Sequence, residues 1–265
     1  MSATRPCILI FAGVDPSGGA GVSADIEAVG AVGGHPLPVV TVLTVQDNDR
    51  VHAIHPVLAP VVTHQAQALI EKIRIDAVKI GIVGSRANAE AIAAIIGMLQ
   101  DSRPDIPVVL DPVLASGRGD ALSPDDAADA VAPLLPLASL VTPNLMEASR
   151  LCGGETDLEQ QAARLLGLGS RNVLIKGGHG PAGEDIVNTW FSAAGSCSWR
   201  WPCLTGEFHG SGCTLASAIA TRLALGEMLE DALFEGQVYT HRALRAAYPI
   251  APGQKIPQRR IVFAS

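Results

Sequence analysis

The stretch His209-Gly210-Ser211-Gly212-Cys213-Thr214 gathers residue types able to act on an anion. Its two glycines lack the Cβ atoms that would hold a ligand away from the backbone. Leu215, Ile219 and Leu223 follow at four-residue intervals, which predicts a helix beginning at the turn. The first N–H groups of a helix have no partner within it, and the helix dipole adds positive potential there. Such a turn suits an anion, most often phosphate. A plain helix start that happens to contain glycine is the alternative. Cys213 falls in the first turn, where a thiol pKa is expected to fall and a thiolate to be favoured.

Other polar groups stand where apolar runs end. Asp111 closes Val108-Val109-Leu110, Asn144 and Glu147 follow Ser139-Leu140-Val141-Thr142-Pro143, and Lys176 closes the run from Asn172. In a parallel sheet these ends share one edge, so they and the Cys213 turn converge in one crevice. Carboxylates hold a hard cation, and Mg²⁺ uses one or two of them with waters and substrate phosphates. Asn144 and Glu147 are three apart and share a helical face. Lys176 supplies a point charge for phosphate oxygens, and the glycine turn supplies donors where charge builds. Phosphoryl transfer needs little more than positioning and charge stabilisation. Each residue also has a plainer role. Asp111 before Pro112 reads as a turn former, Asn144 as a helix cap, Glu147 as a solvated charge and Lys176 as a strand-end lysine. His179 reads as a loop residue and His209 as structural.

The elements that must position these groups alternate. Cys7–Ala12 is a buried strand, and Gly13–Gly21 a glycine-rich loop without the Lys-Ser/Thr pair of a phosphate loop or the spacing of a dinucleotide fingerprint. Val22, Ile26, Val29 and Val32 mark a helix stopped by Gly33-Gly34. Strands follow at 37–44, 77–83, 108–111, 139–143 and 172–176, and helices at 63–74, 86–100, 124–135 and 158–167. The polar stretch 45–50 lies just past a strand end, where open α/β sheets bind ligands. Residues 185–191 and 196–201 predict a hairpin about Gly195, followed by the helix after Cys213 and another over 229–248. Residues 250–265 read as a loosely held tail. The whole predicts one α/β domain over 1–265, a mostly parallel sheet with helices on both faces.

Bulk properties agree. The 265 residues are 48% apolar, with mean hydropathy +0.29, enough for a large core. The net charge is −7 and basic residues do not cluster before Arg259-Arg260, which argues against nucleic-acid binding. Five cysteines without zinc spacing and the absence of a long apolar run predict a reduced, soluble, cytoplasmic protein with no membrane contact.

From Ile8 to about Ala247 the chain resembles the hydroxymethylpyrimidine/phosphomethylpyrimidine kinases of thiamine biosynthesis, a branch of the ribokinase-like superfamily. Seven motifs in order carry the resemblance: Ala12–Gly21 with Asp25, Leu43-Thr44-Val45-Gln46, Val78-Lys79-Ile80-Gly81, Val109–Val113, Thr142–Ala148, Val173–His179 and His209–Leu215. It implies a three-layer ribokinase-like fold with a small β-hairpin addition. It implies ATP and Mg²⁺ as cofactors, a hydroxymethylpyrimidine substrate and a homodimer. Gly210, Ser211, Gly212 and Cys213 resemble the anion hole, and Cys213 stands where sugar kinases carry an aspartate base. Asp111, Asn144 and Glu147 resemble the magnesium–phosphate group, the last two acting through water. Lys176, with Asp111 and Thr214, resembles the nucleotide-phosphate site, and Gly13, Asp25 and Gln46 resemble the pyrimidine pocket. The Gln46 amide offers a donor and an acceptor, which suits an aminopyrimidine edge.

Two departures stand out. Leu114-Ala115-Ser116-Gly117-Arg118-Gly119 lacks the lysine of the family's Ala-Lys-Ser-Gly stretch, where Arg118 is the available substitute, and Gly34-His35-Pro36-Leu37 is less apolar than usual. The rival readings are a pyridoxal or pyridoxine kinase of the same branch and a non-catalytic pyrimidine-binding module. A metal-dependent hydrolase is a weaker third, since no histidine pair has ligand spacing.

Overall fold

The structure is a computed structural model that describes residues 5–120, 122–177 and 185–260. Among them, nine strands form one sheet in the order β3-β2-β1-β4-β5-β6-β7-β8-β9. Strands β1 (Cys7–Val14), β2 (His35–Gln46), β4 (Ala77–Ile80), β5 (Val108–Leu110), β6 (Leu140–Val141) and β7 (Asn172–Ile175) are parallel neighbours. Strand β3 (Val51–Pro56) adds an antiparallel edge to β2, and the hairpin β8 (Ile186–Ser192) and β9 (Gly195–Trp201) closes the other side.

The parallel strands are apolar on both faces because helices cover both. In β1, Ile8 and Ile10 pack toward α7 (Ser211–Ala224), while Leu9 and Phe11 pack toward the opposite helices; all four are fully buried. Burial of each such side chain stabilises by about 1.5–3 kcal/mol. Helices α1 (Gly21–Val32), α7 and α8 (Leu229–Arg245) form one layer. On the other face lie α2 (Ala59–Ile70), α3 (Arg86–Ser102), α4 (Ala127–Val131), α5 (Leu145–Leu151) and α6 (Leu158–Gly167). Gly33 ends α1 with φ 105°, a left-handed conformation that glycine adopts without a Cβ clash, and Gly34 N–H donates to Val29 O at 2.9 Å. Helix α7 packs across β1, β4 and β5, which aims its first turn at their carboxyl ends.

Four expectations are corrected. Residues 51–56 form a strand, so the polar stretch 47–50 is the tip of the β2–β3 hairpin. Helix α2 begins at Ala59 instead of 63, with Pro60 in its first turn, where a missing N–H costs nothing. The helix expected over 124–135 is α4 followed by a 3₁₀ turn, Ala132–Leu137, in which Pro133 and Pro136 lack the donors an α-helix needs. The segment after residue 250 is tied down through residue 259. Phe208 bridges Lys255, Tyr248 bridges Ile256, and Arg259 is wholly buried.

Candidate active site

The strand order turns back at β1, with β2 on one side and β4 on the other, and open sheets bind ligands at the carboxyl edge of such a switch. Asp111 directly follows β5, Thr142 follows β6 and Lys176 follows β7, so three side chains reach one place. Lys176 Nζ donates to Asp111 Oδ1 at 2.8 Å, and Thr142 Oγ1 donates to the same oxygen at 3.0 Å. Asp111 Oδ2 faces α7. A Cβ on Gly212 would stand 3.2 Å from that oxygen and 3.2 Å from Lys176 Nζ. The turn and the ion pair therefore meet at a gap that only glycine leaves open.

Gly210 caps α7 in the left-handed conformation, φ 76°, and a Cβ there would lie 2.2 Å from Gly19 O. No side chain caps this helix, and among the described residues none accepts from the N–H groups of Ser211, Gly212 or Cys213. The turn thus presents open backbone donors where an anion hole is expected. Thr214 is the exception among the phosphate-site residues. It is fully buried, its hydroxyl donates to Gly210 O at 2.8 Å and accepts from Arg259 Nε at 2.8 Å, so it holds the turn and does not reach a ligand.

Asn144 and Glu147 form a reciprocal capping box at the start of α5. Asn144 Oδ1 accepts from Glu147 N–H at 2.8 Å, and Glu147 Oε2 accepts from Asn144 N–H at 2.8 Å. The helix-cap role for Asn144 is thus realised. Burial pushes the Glu147 carboxyl up to about 7, assisted by the nearby charge of Asp111 and opposed by Lys176. Burial alone would depress the Lys176 ammonium, but Asp111 and Glu147 outweigh it and hold it charged. Among the described residues no three His, Cys, Asp or Glu side chains cluster as a metal site. One carboxylate facing the gap and a second carboxyl close enough to perturb it fit a Mg²⁺ ion that takes its remaining ligands from water and phosphates.

The expected thiolate at Cys213 is corrected. Burial raises its pKa to about 11; Lys79 pulls it down, but Asp25 and Asp111 push it up. The helix start and a lysine do not compensate for the lost solvent, and the resting group is a neutral thiol. The lysine that matters most to it is Lys79, not Lys176.

On the substrate side, Gln46 ends β2 and its amide nitrogen lies 3.2 Å from His209 Nε2, beside the α7 turn. The same ring nitrogen is 2.8 Å from Asp15 Oδ2. Asp15 also accepts from Ser17 and Ala20 N–H groups at 2.8 and 2.7 Å, so it closes the glycine loop on itself. Bonds from His209 and Ser17 outweigh burial and keep the Asp15 carboxyl below the ordinary range. His209 thus ties the start of the α7 turn to the glycine loop. A Cβ on Gly13 would stand 2.6 Å from Val42 Cγ1, so strand packing alone requires this glycine. Asp25 is corrected as a pyrimidine contact: it is fully buried, with Oδ2 taken by Lys79 Nζ at 2.9 Å and Oδ1 by Ser217 Oγ at 2.8 Å. It lies beneath the site. Arg118 pairs with Asp49 at 2.9 Å and Glu207 at 2.7 Å. His179 lies outside the described residues.

Sequence reasoning missed Lys79, Thr142, Ser217 and Arg259. Lys79 left a signal, a charge inside the otherwise apolar run Ala77–Ile80. Period two puts it on the face of Ala77, under α7, where Asp25 meets it. An open groove of about 420 Å³ bordered by Ser17, Ile26, Glu27, Tyr248 and Arg260 contains none of Asp111, Lys176 or Cys213, so it is not the site described here.

An open amide turn facing a Lys–Asp pair at the carboxyl edge of a mostly parallel, ribokinase-like sheet fits a phosphotransferase. Comparison with known proteins makes this specific. The model of the family described as phosphomethylpyrimidine kinase matches residues 15–258, and the chain belongs to that family. It is 41% identical over 255 residues to a thiamine biosynthesis bifunctional protein of Geobacter sulfurreducens, covering 94% of this chain and 51% of that one. The chain thus spans about half of that relative. It is 36% identical to the hydroxymethylpyrimidine/phosphomethylpyrimidine kinase of Streptomyces coelicolor, over 94% of this chain and 93% of the relative. The ADP complex of Bacillus subtilis pyridoxal kinase superposes with a TM-score of 0.85 at 25% identity, over 97% of this chain and 98% of that one. Among the described residues no helix is long and apolar enough to cross a membrane.

Proposed function

We propose that the protein transfers the γ-phosphoryl group of ATP to 4-amino-5-hydroxymethyl-2-methylpyrimidine, and then to its monophosphate, in thiamine biosynthesis. The carrying observation is the gap at Gly212, with open α7 amides on one side and Asp111 Oδ2 and Lys176 Nζ on the other. The names of full-length relatives support the substrate. In this reading the amides of Ser211, Gly212 and Cys213 take the charge spread over the transferred group, and Lys176 holds phosphate oxygens. Asp111, with Glu147 through water, would hold Mg²⁺, which supplies charge neutralisation on the phosphates. Gln46 reads the pyrimidine edge from beside His209, whose Nε2 is held by Asp15.

Cys213 accepts the hydroxymethyl proton from a minor thiolate population. With a pKa of about 11, emptying the thiol at pH 7 costs about 5 kcal/mol. Most of the catalytic effect therefore falls to positioning and the anion hole. The homodimer rests on the family resemblance and the cytoplasmic location on the cysteine usage and the lack of a long apolar run; light scattering and cell fractionation read them.

The test is a mass-resolved product assay with ATP, Mg²⁺ and the pyrimidine alcohol, run beside pyridoxal. The reading expects pyrimidine mono- and diphosphate. Phosphorylation of pyridoxal in preference would move the protein to the rival substrate, and pyrimidine binding without ATP consumption would leave only a binding module.

A further inference from the structure

Among the described residues the largest fully buried side chain is Arg259, which lies one residue beyond the stretch matched by the family model. Its guanidinium sits behind the α7 turn. Nε donates to Thr214 Oγ1 at 2.8 Å, and Nη2 donates to His209 O at 3.3 Å and to Gly19 O. Nη1 lies 3.5 Å from Glu27 Oε2, and the Arg259 carbonyl accepts from Tyr239 OH at 2.8 Å. Thr214 Oγ1 passes the contact on by donating to Gly210 O at 2.8 Å.

Two peptide units are held this way by their oxygen ends. His209 O belongs to the unit whose N–H is that of Gly210, and Gly210 O to the unit whose N–H is that of Ser211. In a planar trans peptide the C=O and N–H point in opposite directions. Gripping the two oxygens from behind therefore turns the two N–H groups away from Arg259. A buried cation on the oxygen side also polarises both units and strengthens their amides as donors. The bond to Gly19 O locks the glycine loop to the same point, where a Cβ on Gly210 would lie 2.9 Å from Nη2.

We propose that Arg259 is a positioning residue for phosphoryl transfer, orienting and polarising the Gly210 and Ser211 amides through His209 O and the Thr214 hydroxyl. This inference rests on the reading of the turn as the cradle of the transferred group. It assigns the C-terminal segment a part in catalysis, without contact to either substrate.

The experiment measures kcat, both KM values and the melting temperature for the full chain and for Arg259→Gln, Arg259→Lys, Thr214→Val and Tyr239→Phe, with ATP, Mg²⁺ and the pyrimidine alcohol. Loss of the grip should lower kcat of Arg259→Gln by about 10²-fold, the scale of one lost oxyanion donor, with both KM values nearly unchanged. Arg259→Lys keeps the charge but not the fork, and should recover part of that loss. Thr214→Val keeps volume and charge while cutting the relay, and should lower kcat by about tenfold on the same scale. Tyr239→Phe loosens the tail without touching the guanidinium, so it should lower the melting temperature and leave kcat alone. Folded Arg259→Gln with wild-type kcat would overturn the proposal, as would a rise in KM at constant kcat. If Arg259→Gln does not fold, wild-type kcat in Thr214→Val overturns it. A wild-type chain that transfers no phosphate would instead sink the kinase reading beneath it.

Discussion

Two lysine–aspartate pairs stand at this site with nearly the same bond, 2.9 Å for Lys79–Asp25 and 2.8 Å for Lys176–Asp111, and they do different work. The first is sealed. Both side chains are fully buried, and both Asp25 oxygens are taken by protein donors. The second is partly open at Lys176, and one Asp111 oxygen looks onto the Gly212 gap. Burial would depress Lys79, but Asp25 outweighs it and holds the ammonium charged in the floor under Cys213. An ion pair becomes a binding site when one of its oxygens is left for something else.

Breaking the sealed pair gives the largest expected effect on folding. Removing one partner of a buried pair leaves an uncompensated charge and costs about 3–5 kcal/mol. Lys79→Met should therefore show a large drop in melting temperature, and Lys79→Met with Asp25→Leu should recover much of it. A single variant that melts with the wild type would erase the distinction between the pairs. Gly212→Ala sharpens the other side. Its methyl would stand 3.2 Å from Asp111 Oδ2 and Lys176 Nζ, so kcat should fall by about tenfold or more while melting changes little. Gln46→Leu should raise the pyrimidine KM by about tenfold, with the ATP KM unchanged, because it removes amide bonds to the substrate alone.

The smallest effect is a shift in a titration. Cys213 lies above its ordinary value because burial favours the neutral thiol, so thiolate appears only as pH rises toward about 11. Alkylation of the Cys213 peptide, followed by mass, should climb through pH 9–10 without levelling, whereas an ordinary thiol levels above about 8.5. If that thiolate is the proton acceptor, log kcat climbs with unit slope over the same range. A plateau near pH 7 would restore the low-pKa thiolate that the helix start suggested.

Much of this arrangement could be read from sequence because it is local. The apolar runs before Asp111 and Lys176 mark buried strands, and parallel strands bring their ends together whatever the side chains. The glycines at 210 and 212 state their own need for space. Strand β3 escaped because Val51-His52-Ala53-Ile54-His55-Pro56 has polar residues on both faces and borrows its pairing from β2. Arg259 escaped because its partners are at positions 19, 209, 214 and 239, and no local pattern announces contacts so distant in sequence. The Cys213 pKa took the wrong sign because a helix dipole is visible in sequence and desolvation is not.

The central claim is that the open pair acts on the transferred phosphate and the sealed pair does not. Single-turnover transfer from ATP to the pyrimidine alcohol, measured for Lys176→Met beside Lys79→Met, tests it directly. The account predicts a rate lowered by about 10²–10³-fold in Lys176→Met, with a smaller drop in melting temperature than in Lys79→Met. Folded Lys79→Met should lose less rate, and only through a smaller Cys213 thiolate population. Wild-type transfer by Lys176→Met would contradict it.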